Sequence, residues 1–86
     1  MRLYKIYTED VNRETVEALV REKFDSFSVQ FGTGYYKDEK EASLTIEILA
    51  LATDIGTVRK LARSIKTENQ QDAVLLVVSD VQTETI

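Results

Sequence analysis

The sequence predicts a ferredoxin-like α+β sandwich with the element order βαββαβ. Its apolar residues switch between a strand-like spacing of two and a helix-like spacing of about 3.6, which gives strand, helix, strand, strand, helix and strand. With 86 residues, the chain is expected to form a single domain, 1–86, because a core of this size cannot be divided and still bury most of its apolar surface. Right-handed crossovers then place four antiparallel strands in the order 4-1-3-2, with both helices on one face.

The first strand and the first helix come from the beginning of the chain. Residues 2–8 alternate, with Tyr4 and Ile6 on the core side of the predicted strand. Asn12 is a favourable N-cap for the helix that follows. The buried stripe of that helix has helical spacing and consists of Val16, Leu19 and Val20, with Phe24 as a candidate for its continuation.

Two further strands are predicted on either side of a charged segment. Residues 26–31 alternate and place three apolar side chains inward: Phe27, Val29 and Phe31. Residues 42–48 form a central third strand, whose inward side chains are Leu44, Ile46 and Ile48 and whose outward neighbours are Thr45, Glu47 and Leu49.

The second helix and the fourth strand complete the sandwich. Thr53 or Asp54 caps a helix whose apolar positions follow helical spacing: Ile55, Val58, Leu61, Ala62 and Ile65. The polar run at 69–72 ends this helix. Residues 73–78 are apolar on both faces and predict the last strand, which residues 83–86 either extend or leave as a frayed end.

The composition excludes several classes of chemistry. Without cysteine the chain has no disulfide, no thiolate nucleophile and no cysteine-based metal site. Without histidine it lacks the commonest acid/base near neutral pH and the commonest zinc ligand. A net charge of −4 makes nucleic acid an unlikely partner, since phosphate neutralisation needs clustered Lys and Arg. We expect no metal and no cofactor, and we assign no catalytic residue.

The sequence also bears on location. The first five residues, Met-Arg-Leu-Tyr-Lys, contain no apolar signal-peptide core. No apolar run approaches the roughly 18 residues that a membrane span requires. We therefore expect a cytoplasmic protein that does not enter a membrane.

Known activities of this topology lack their essential groups here. An RNA-recognition module stacks bases on exposed aromatic residues of its central strands, whereas the third strand offers Thr45 and Glu47. A metal chaperone of this fold needs a cysteine pair, which the chain does not have. An acylphosphatase-like enzyme needs a glycine-rich phosphate loop with an arginine after strand one, where residues 8–12 instead carry two acids.

The segment at 32–41 is the first candidate partner-binding site. Two glycines precede Tyr35, Tyr36 and Lys37, and more charged residues follow. Adjacent tyrosines on a loop are good anchors for a protein partner, which favours a recognition arm. Alternatively the strand pattern continues, so that one tyrosine covers the end of the core and the charged residues form a hairpin tip.

A second candidate is the basic face of the second helix. Arg59, Arg63 and Lys66 share one side of this helix and could meet an acidic partner or nucleic acid. The other interpretation is a solvated helix face, in which cations lie favourably near the carboxyl end of the helix.

An apolar patch on the open face of the sheet is the predicted dimer interface. Depending on the register of the last strand, either Leu75 and Val77 or Val74, Leu76 and Val78 cannot face the helices. Leu3 and Leu49 are expected on the same open face. Exposed contiguous apolar surface usually marks an interface, which predicts a homodimer. The alternative is a monomer whose residues 79–86 fold back over the patch.

The open face also supports a different function. Lys5 and Glu47 are expected on neighbouring strands beside Tyr7, where they form either a cross-strand ion pair or part of a small-molecule site. In the second case two open sheets would enclose a pocket, as in a cofactorless dimeric α+β-barrel enzyme, and Tyr7, Lys5 or Glu47 would transfer a proton.

The run 34–36, Gly-Tyr-Tyr, followed by 41–47, Glu-Ala-Ser-Leu-Thr-Ile-Glu, resembles a pattern of small ferredoxin-like proteins of bacteria and their phages. These proteins include a domain-of-unknown-function family. Residues 2–4 and 68–76 fit the same pattern, so that the resemblance covers nearly the whole chain. It implies the βαββαβ order and carries no activity or catalytic residue. We therefore favour a small non-enzymatic protein-binding or regulatory module, with a mobile element as one origin.

Overall fold

Four strands and two helices follow one another in the predicted order. The computed structural model describes residues 1–86. The elements are β1 (Arg2–Glu9), α1 (Arg13–Arg21), β2 (Ser28–Tyr36), β3 (Glu39–Ala50), α2 (Ile55–Glu68) and β4 (Leu75–Asp80), with a short 3₁₀ turn at Ala52–Asp54. Neither helix combines the length and the apolar surface needed to cross a bilayer.

The sheet has the predicted topology. Its four antiparallel strands lie in the order β2-β3-β1-β4, which is the order 4-1-3-2 counted from the other edge. The two central strands pair Tyr4 with Ile48 and Ile6 with Ile46, so these side chains share one face. The ferredoxin-like α+β fold predicted from the sequence is therefore confirmed.

One apolar cluster between the sheet and the helices forms the core. It contains residues from β1, β3 and both helices, which places both helices on the same sheet face. Its members are Tyr4, Ile6, Val16, Val20, Leu44, Ile46, Ile48, Ala50, Val58, Leu61 and Ile65. The predicted inward positions of β1, α1, β3 and α2 account for most of this cluster.

The one phenol in the core has its hydroxyl satisfied. Tyr4 is fully buried, and its hydroxyl donates a hydrogen bond to the Leu51 carbonyl oxygen at 2.7 Å. The Leu51 amide in turn donates to the Asp54 carboxylate at 2.9 Å, across the turn that precedes α2. Asp54 thus stabilises the start of α2 by closing this turn, and its side chain does not cap the helix amides directly.

Phe31 lies on the helix side of the sheet, as predicted, but it is not part of the core. Its ring is 56% exposed, because β2 is an edge strand that extends beyond the helix layer. The guanidinium of Arg13 lies 3.7 Å from the ring centroid and covers part of it. Arg13 also donates from Nε to Asp10 at 3.2 Å, and this hydrogen bond raises the pKa of Arg13, which keeps the group charged.

Substituting neighbouring residues of β3 tests which face of the sheet is buried. Ile48→Ala should lower the free energy of unfolding by about 2–5 kcal/mol, because it opens a cavity in a closely packed core. Leu49→Ala removes an exposed side chain and should cost less than about 1 kcal/mol. Urea unfolding of both variants at low protein concentration measures the difference. Equal losses would contradict the assignment of faces.

Candidate functional site

A two-stranded arm extends from one end of the sheet. β1 pairs with Ser43–Ala50 of β3, so residues 33–42 of β2 and β3 form a two-stranded ladder, which a hydrogen bond from the Asp10 amide to the Ala42 carbonyl oxygen ties to the body at its base. We call residues 33–42 the arm. The molecule is accordingly elongated, with dimensions of 39 × 22 × 20 Å. Strand pairing thus continues through this segment to Tyr36 and Glu39, as one of the two interpretations expected.

The turn at the tip of the arm has an unusual backbone. Lys37 and Asp38 connect the strands, and both have positive φ, at 49° and 65°. Two-residue hairpins with positive φ at both positions favour Asn-Gly or similar pairs, because other residues pay about 1–2 kcal/mol for the left-handed conformation. Lys37 carries most of this cost, because aspartate adopts the left-handed conformation more readily than lysine.

The two tyrosines of the arm are both exposed, on opposite faces. Tyr35 is 72% exposed and lies on the helix side, opposite Lys40. Tyr36 is 43% exposed and lies on the open side, opposite Glu39. Neither ring covers the end of the core. That Tyr35, Tyr36 and Lys37 bind a partner remains a prediction.

The two glycines before the tyrosines are not required for an unusual backbone conformation. Neither Gly32 nor Gly34 has a positive φ. A Cβ at Gly34 would lie 3.3 Å from the Cβ of Ser43, which is tighter than an ordinary contact. Gly34 therefore allows β2 and β3 to approach closely at the base of the arm.

The open face carries the predicted ion pair. Lys5 pairs in register with Glu47, and its Nζ lies 3.8 Å from the carboxylate. Tyr7 pairs with Thr45 in the next row. A cross-strand ion pair of this kind contributes about 0.2–1 kcal/mol. The enzyme interpretation of these residues remains a prediction.

The four residues predicted to form a dimer interface all lie on the open face. Leu3 pairs with Leu49, while Val77 pairs with Lys5 and Leu75 with Tyr7. Leu49 is 51% exposed and Leu75 is 61% exposed. The carboxyl-terminal residues do not cover them: Val81 donates to the Met1 carbonyl oxygen at 3.2 Å, and the chain then leaves the sheet.

The basic face of α2 is exposed on the opposite side of the molecule. α2 packs on the sheet through Val58, Leu61 and Ile65, which leaves Arg59, Arg63 and Lys66 in solvent. None of the four ion pairs of the structure involves these cations. No hydrogen bond or ion pair links them to the arm, so the two predicted partner-binding regions form separate surfaces.

A cleft of about 550 Å³ lies between the arm, the end of β1 and residues 70–75. Three tyrosines contribute to its lining: Tyr7, Tyr35 and Tyr36. Three carboxylates do so as well: Glu9, Glu41 and Asp72. No lysine or arginine is among the lining residues. This cleft was not predicted from the sequence.

A hydrogen-bond network holds one wall of the cleft in place. The Asn69 amide donates to the hydroxyl of buried Thr8 at 3.0 Å and to the Glu9 carbonyl oxygen at 3.3 Å. The Gln71 side-chain oxygen accepts from the Glu9 amide at 3.3 Å and from the Thr8 hydroxyl. These bonds fasten the segment after α2 to the end of β1. Thr8, a polar residue at an inward position of β1, was the sequence signal for such a network.

The backbone after α2 also contributes to this wall. Gln70 has φ 52° and ends the helix in the left-handed conformation. The amides of Gln70 and Gln71 donate to the carbonyl oxygens of Thr67 and Lys66, at 3.2 and 3.1 Å. This arrangement reverses the chain at the end of α2 and directs residues 71–74 along the mouth of the cleft.

The fold is shared with two bacterial proteins of known structure. A DUF3240 family protein from Shewanella baltica OS155 superposes with a TM-score of 0.82 at 11% identity, over 99% of this chain and 94% of the other. CPII, a nitrogen regulatory PII-like protein from Thiomonas intermedia K12 bound to ADP, AMP and bicarbonate, gives 0.73 at 15% identity, over 99% and 93%. No protein-family model and no curated protein matches the chain.

These similarities agree with the sequence resemblance at the level of fold. This chain and a bacterial domain-of-unknown-function protein share one architecture over nearly their whole lengths. At 11% and 15% identity the likeness carries no residue roles from one protein to the other. The relation to phage proteins remains a prediction.

Relieving the turn of the arm should stabilise the protein. The double substitution Lys37→Asn and Asp38→Gly places favoured residues at both left-handed positions and should raise the free energy of unfolding by roughly 1 kcal/mol. The control, Lys37→Gln with Asp38→Glu, alters the same side chains without relieving φ and should change stability by less than about 0.5 kcal/mol. Urea unfolding of both variants distinguishes them, and equal stabilities would contradict a strained turn.

Proposed function

We propose that this protein is a small non-enzymatic regulatory module that self-associates through its open sheet face and presents the arm to a protein partner. The observation that carries the proposal is the arm itself. It places two exposed tyrosine rings beyond the body of the protein, where the core does not require them.

The chemistry of the tip suits protein recognition. A tyrosine offers a large amphipathic surface and has few rotatable bonds, so it loses little entropy when a partner binds. Tyr35 and Tyr36 point to opposite faces of the arm, and the positively charged Lys37 follows them. A partner that binds both faces of the arm would therefore contact one tyrosine ring on each face.

The arm is held weakly enough to adapt to a partner. A two-stranded ribbon is marginally stable by itself. Its tip contacts the body through Lys37, whose Nζ lies 3.9 Å from the Asp72 carboxylate, and both side chains are largely exposed. An exposed pair of this kind contributes about 0–1 kcal/mol, so that a partner could displace it.

The basic face of α2 provides a second surface for a partner with acidic character. Arg59 and Arg63 are one helical turn apart, and Lys66 continues the same side. Because the net charge of the chain is −4, we favour an acidic protein over nucleic acid for this face. It lies away from the arm and could contact a different part of the same partner.

Self-association through the open face would cover the exposed apolar residues. Leu75 and Val77 lie on β4, an edge strand, while Leu3 lies on the adjacent strand β1 and Leu49 on β3, the next strand across the sheet. Exposed apolar surface next to a free sheet edge is a hazard that proteins usually cover. A second copy of the chain is the simplest cover, and we propose a homodimer.

Of the two similar structures, the PII-like protein supports the proposal of a regulatory role but not of a particular ligand. The PII-like protein is a nitrogen regulatory protein whose structure holds ADP, AMP and bicarbonate, all of which are anions. The cleft of this chain is lined by Glu9, Glu41 and Asp72, which would repel a phosphate. We therefore propose a bacterial cytoplasmic regulator and do not extend nucleotide binding to it.

The arm can be tested by affinity capture from a lysate of the source cells. A partner that binds the wild-type chain should be recovered roughly tenfold less, or not at all, with Tyr35→Ala/Tyr36→Ala, because interface tyrosines often contribute 2 kcal/mol or more. The matched control, Leu51→Ala/Ile86→Ala, removes two exposed apolar side chains outside the arm and should retain the partner. A partner retained equally by all three proteins would exclude the arm as the site.

Self-association can be tested separately by size-exclusion chromatography with light scattering. The wild-type chain should show at least twice the mass of one chain, and Leu75→Glu/Val77→Glu should show the mass of one, since carboxylates on both faces of an interface repel. Val11→Glu changes an equally exposed residue outside the sheet and should leave the assembly intact. A wild-type chain that stays monomeric at high concentration would rule out the interface.

A further inference from the structure

We infer that the cleft beneath the arm receives the cationic side chain of an arginine or lysine from a basic segment of the partner protein. This inference rests on the proposed function, because the arm that binds the partner forms one wall of the cleft. It adds the chemistry by which the partner would be recognised.

The first argument is charge. Glu9 and Glu41 line the cleft, and neither takes part in any of the four ion pairs of the structure. Both lie on the open face, because Glu9 pairs with Ser43 and Glu41 is two residues away on the same strand. Carboxylates that line a concave surface without a cation concentrate negative potential there and attract a positive group.

The second argument is the aromatic lining. Tyr7 and Tyr36 line the same cleft as these carboxylates, and both lie on the open face with them, whereas Tyr35 borders the cleft from the other side of the arm. An ammonium or guanidinium group is attracted to the face of an aromatic ring, at roughly 0.5–1 kcal/mol when exposed and more when water is excluded. Rings combined with carboxylates therefore favour an organic cation over an apolar or anionic group.

The third argument is that the protein already places one of its own cations there. The Nζ of Lys37 lies 5.3 Å from the centroid of the Tyr36 ring and 3.9 Å from the Asp72 carboxylate. Tyr36 and Asp72 both line the cleft, so an ammonium group occupies its edge in the folded chain. Lys37 thus shows that the geometry accommodates a cation, and it would compete with an incoming one.

The size and arrangement of the cleft indicate which kind of cation fits. No group of three acidic side chains lies close enough to hold a metal ion. The carboxylates therefore suit an organic cation, whose charge is delocalised or lies at the end of a side chain. A volume of about 550 Å³ is within the range of ligand sites. Because Tyr35 and Tyr36 belong to both the arm and the cleft, a partner seated on the arm would have its own side chains at the opening.

Binding can be measured with a purified chain and a defined probe. The probe is a capped pentapeptide with two arginines separated by glycine, titrated into isotopically labelled protein and followed by amide chemical shifts. Saturable shifts should appear at Glu41, Asp72 and their neighbours in the cleft. The same peptide with citrulline in place of arginine is neutral and nearly identical in shape, and it should give no saturable shifts.

Charge variants assign the binding to the cleft. Glu9→Gln/Glu41→Gln should weaken the peptide roughly five- to tenfold, as expected for the loss of two partly exposed charge interactions. Glu22→Gln/Glu84→Gln changes the net charge equally with residues outside the cleft and should alter affinity much less. Lys37→Gln removes the competing ammonium and should strengthen binding.

Several results would overturn the inference. These are the absence of saturable shifts, shifts confined to other surfaces, equal binding of the citrulline peptide, or equal weakening by both pairs of glutamine substitutions. Free arginine that binds as tightly as the peptide would point to a small metabolite. Cleft shifts that depend on protein concentration alone, and are lost in Arg59→Gln/Arg63→Gln, would make a second copy the occupant. None of these outcomes changes the result expected for partner capture with the tyrosine variants of the arm. A failure of the cleft inference can therefore be distinguished from a failure of the proposed function.

Discussion

The register between β1 and β3 is the constraint on which the rest of the structure depends. Tyr4 opposite Ile48 and Ile6 opposite Ile46 place the apolar residues of both central strands on the helix side. A shift of one residue would move all of these side chains to the open face and expose the core. The same register aligns Lys5 with Glu47 and brings Glu9 beside Ser43, where the arm begins. The open face and the cleft are thus consequences of how the core is packed.

The parts of the fold that depend on local pattern could be predicted from the sequence. Alternation in β1 and β3 identified their inward residues, and helical spacing identified the buried side of α2 through Val58, Leu61 and Ile65. The strand order followed from the handedness of crossovers, and the neighbouring positions of Lys5 and Glu47 followed from the strand order. Each of these inferences needed only the spacing of residues within one element or a rule of topology.

The parts of the structure that depend on contacts between distant segments could not be predicted from the sequence. Glu39, Lys40 and Glu41 looked like loop residues because strands seldom carry consecutive charges, and the turn at Lys37 lacks the glycine or asparagine that would have announced a hairpin. The covering of Phe31 depends on where α1 places Arg13. The cleft combines three segments that are far apart in the chain, and only Thr8, an inward polar residue, hinted that a partner was needed there.

One strand, β3, runs without interruption from the turn of the arm to the middle of the core. Asp38 at the turn is five residue steps from Ser43, or about 16 Å at ~3.3 Å per residue, so a rotation of roughly 10° at Ser43 would displace the tip by about 3 Å. Gly34 lies at the base of the arm, where an added Cβ would come within 3.3 Å of the Cβ of Ser43. A change of twist in β3 at this point would therefore displace the tyrosines more than any residue nearer the core.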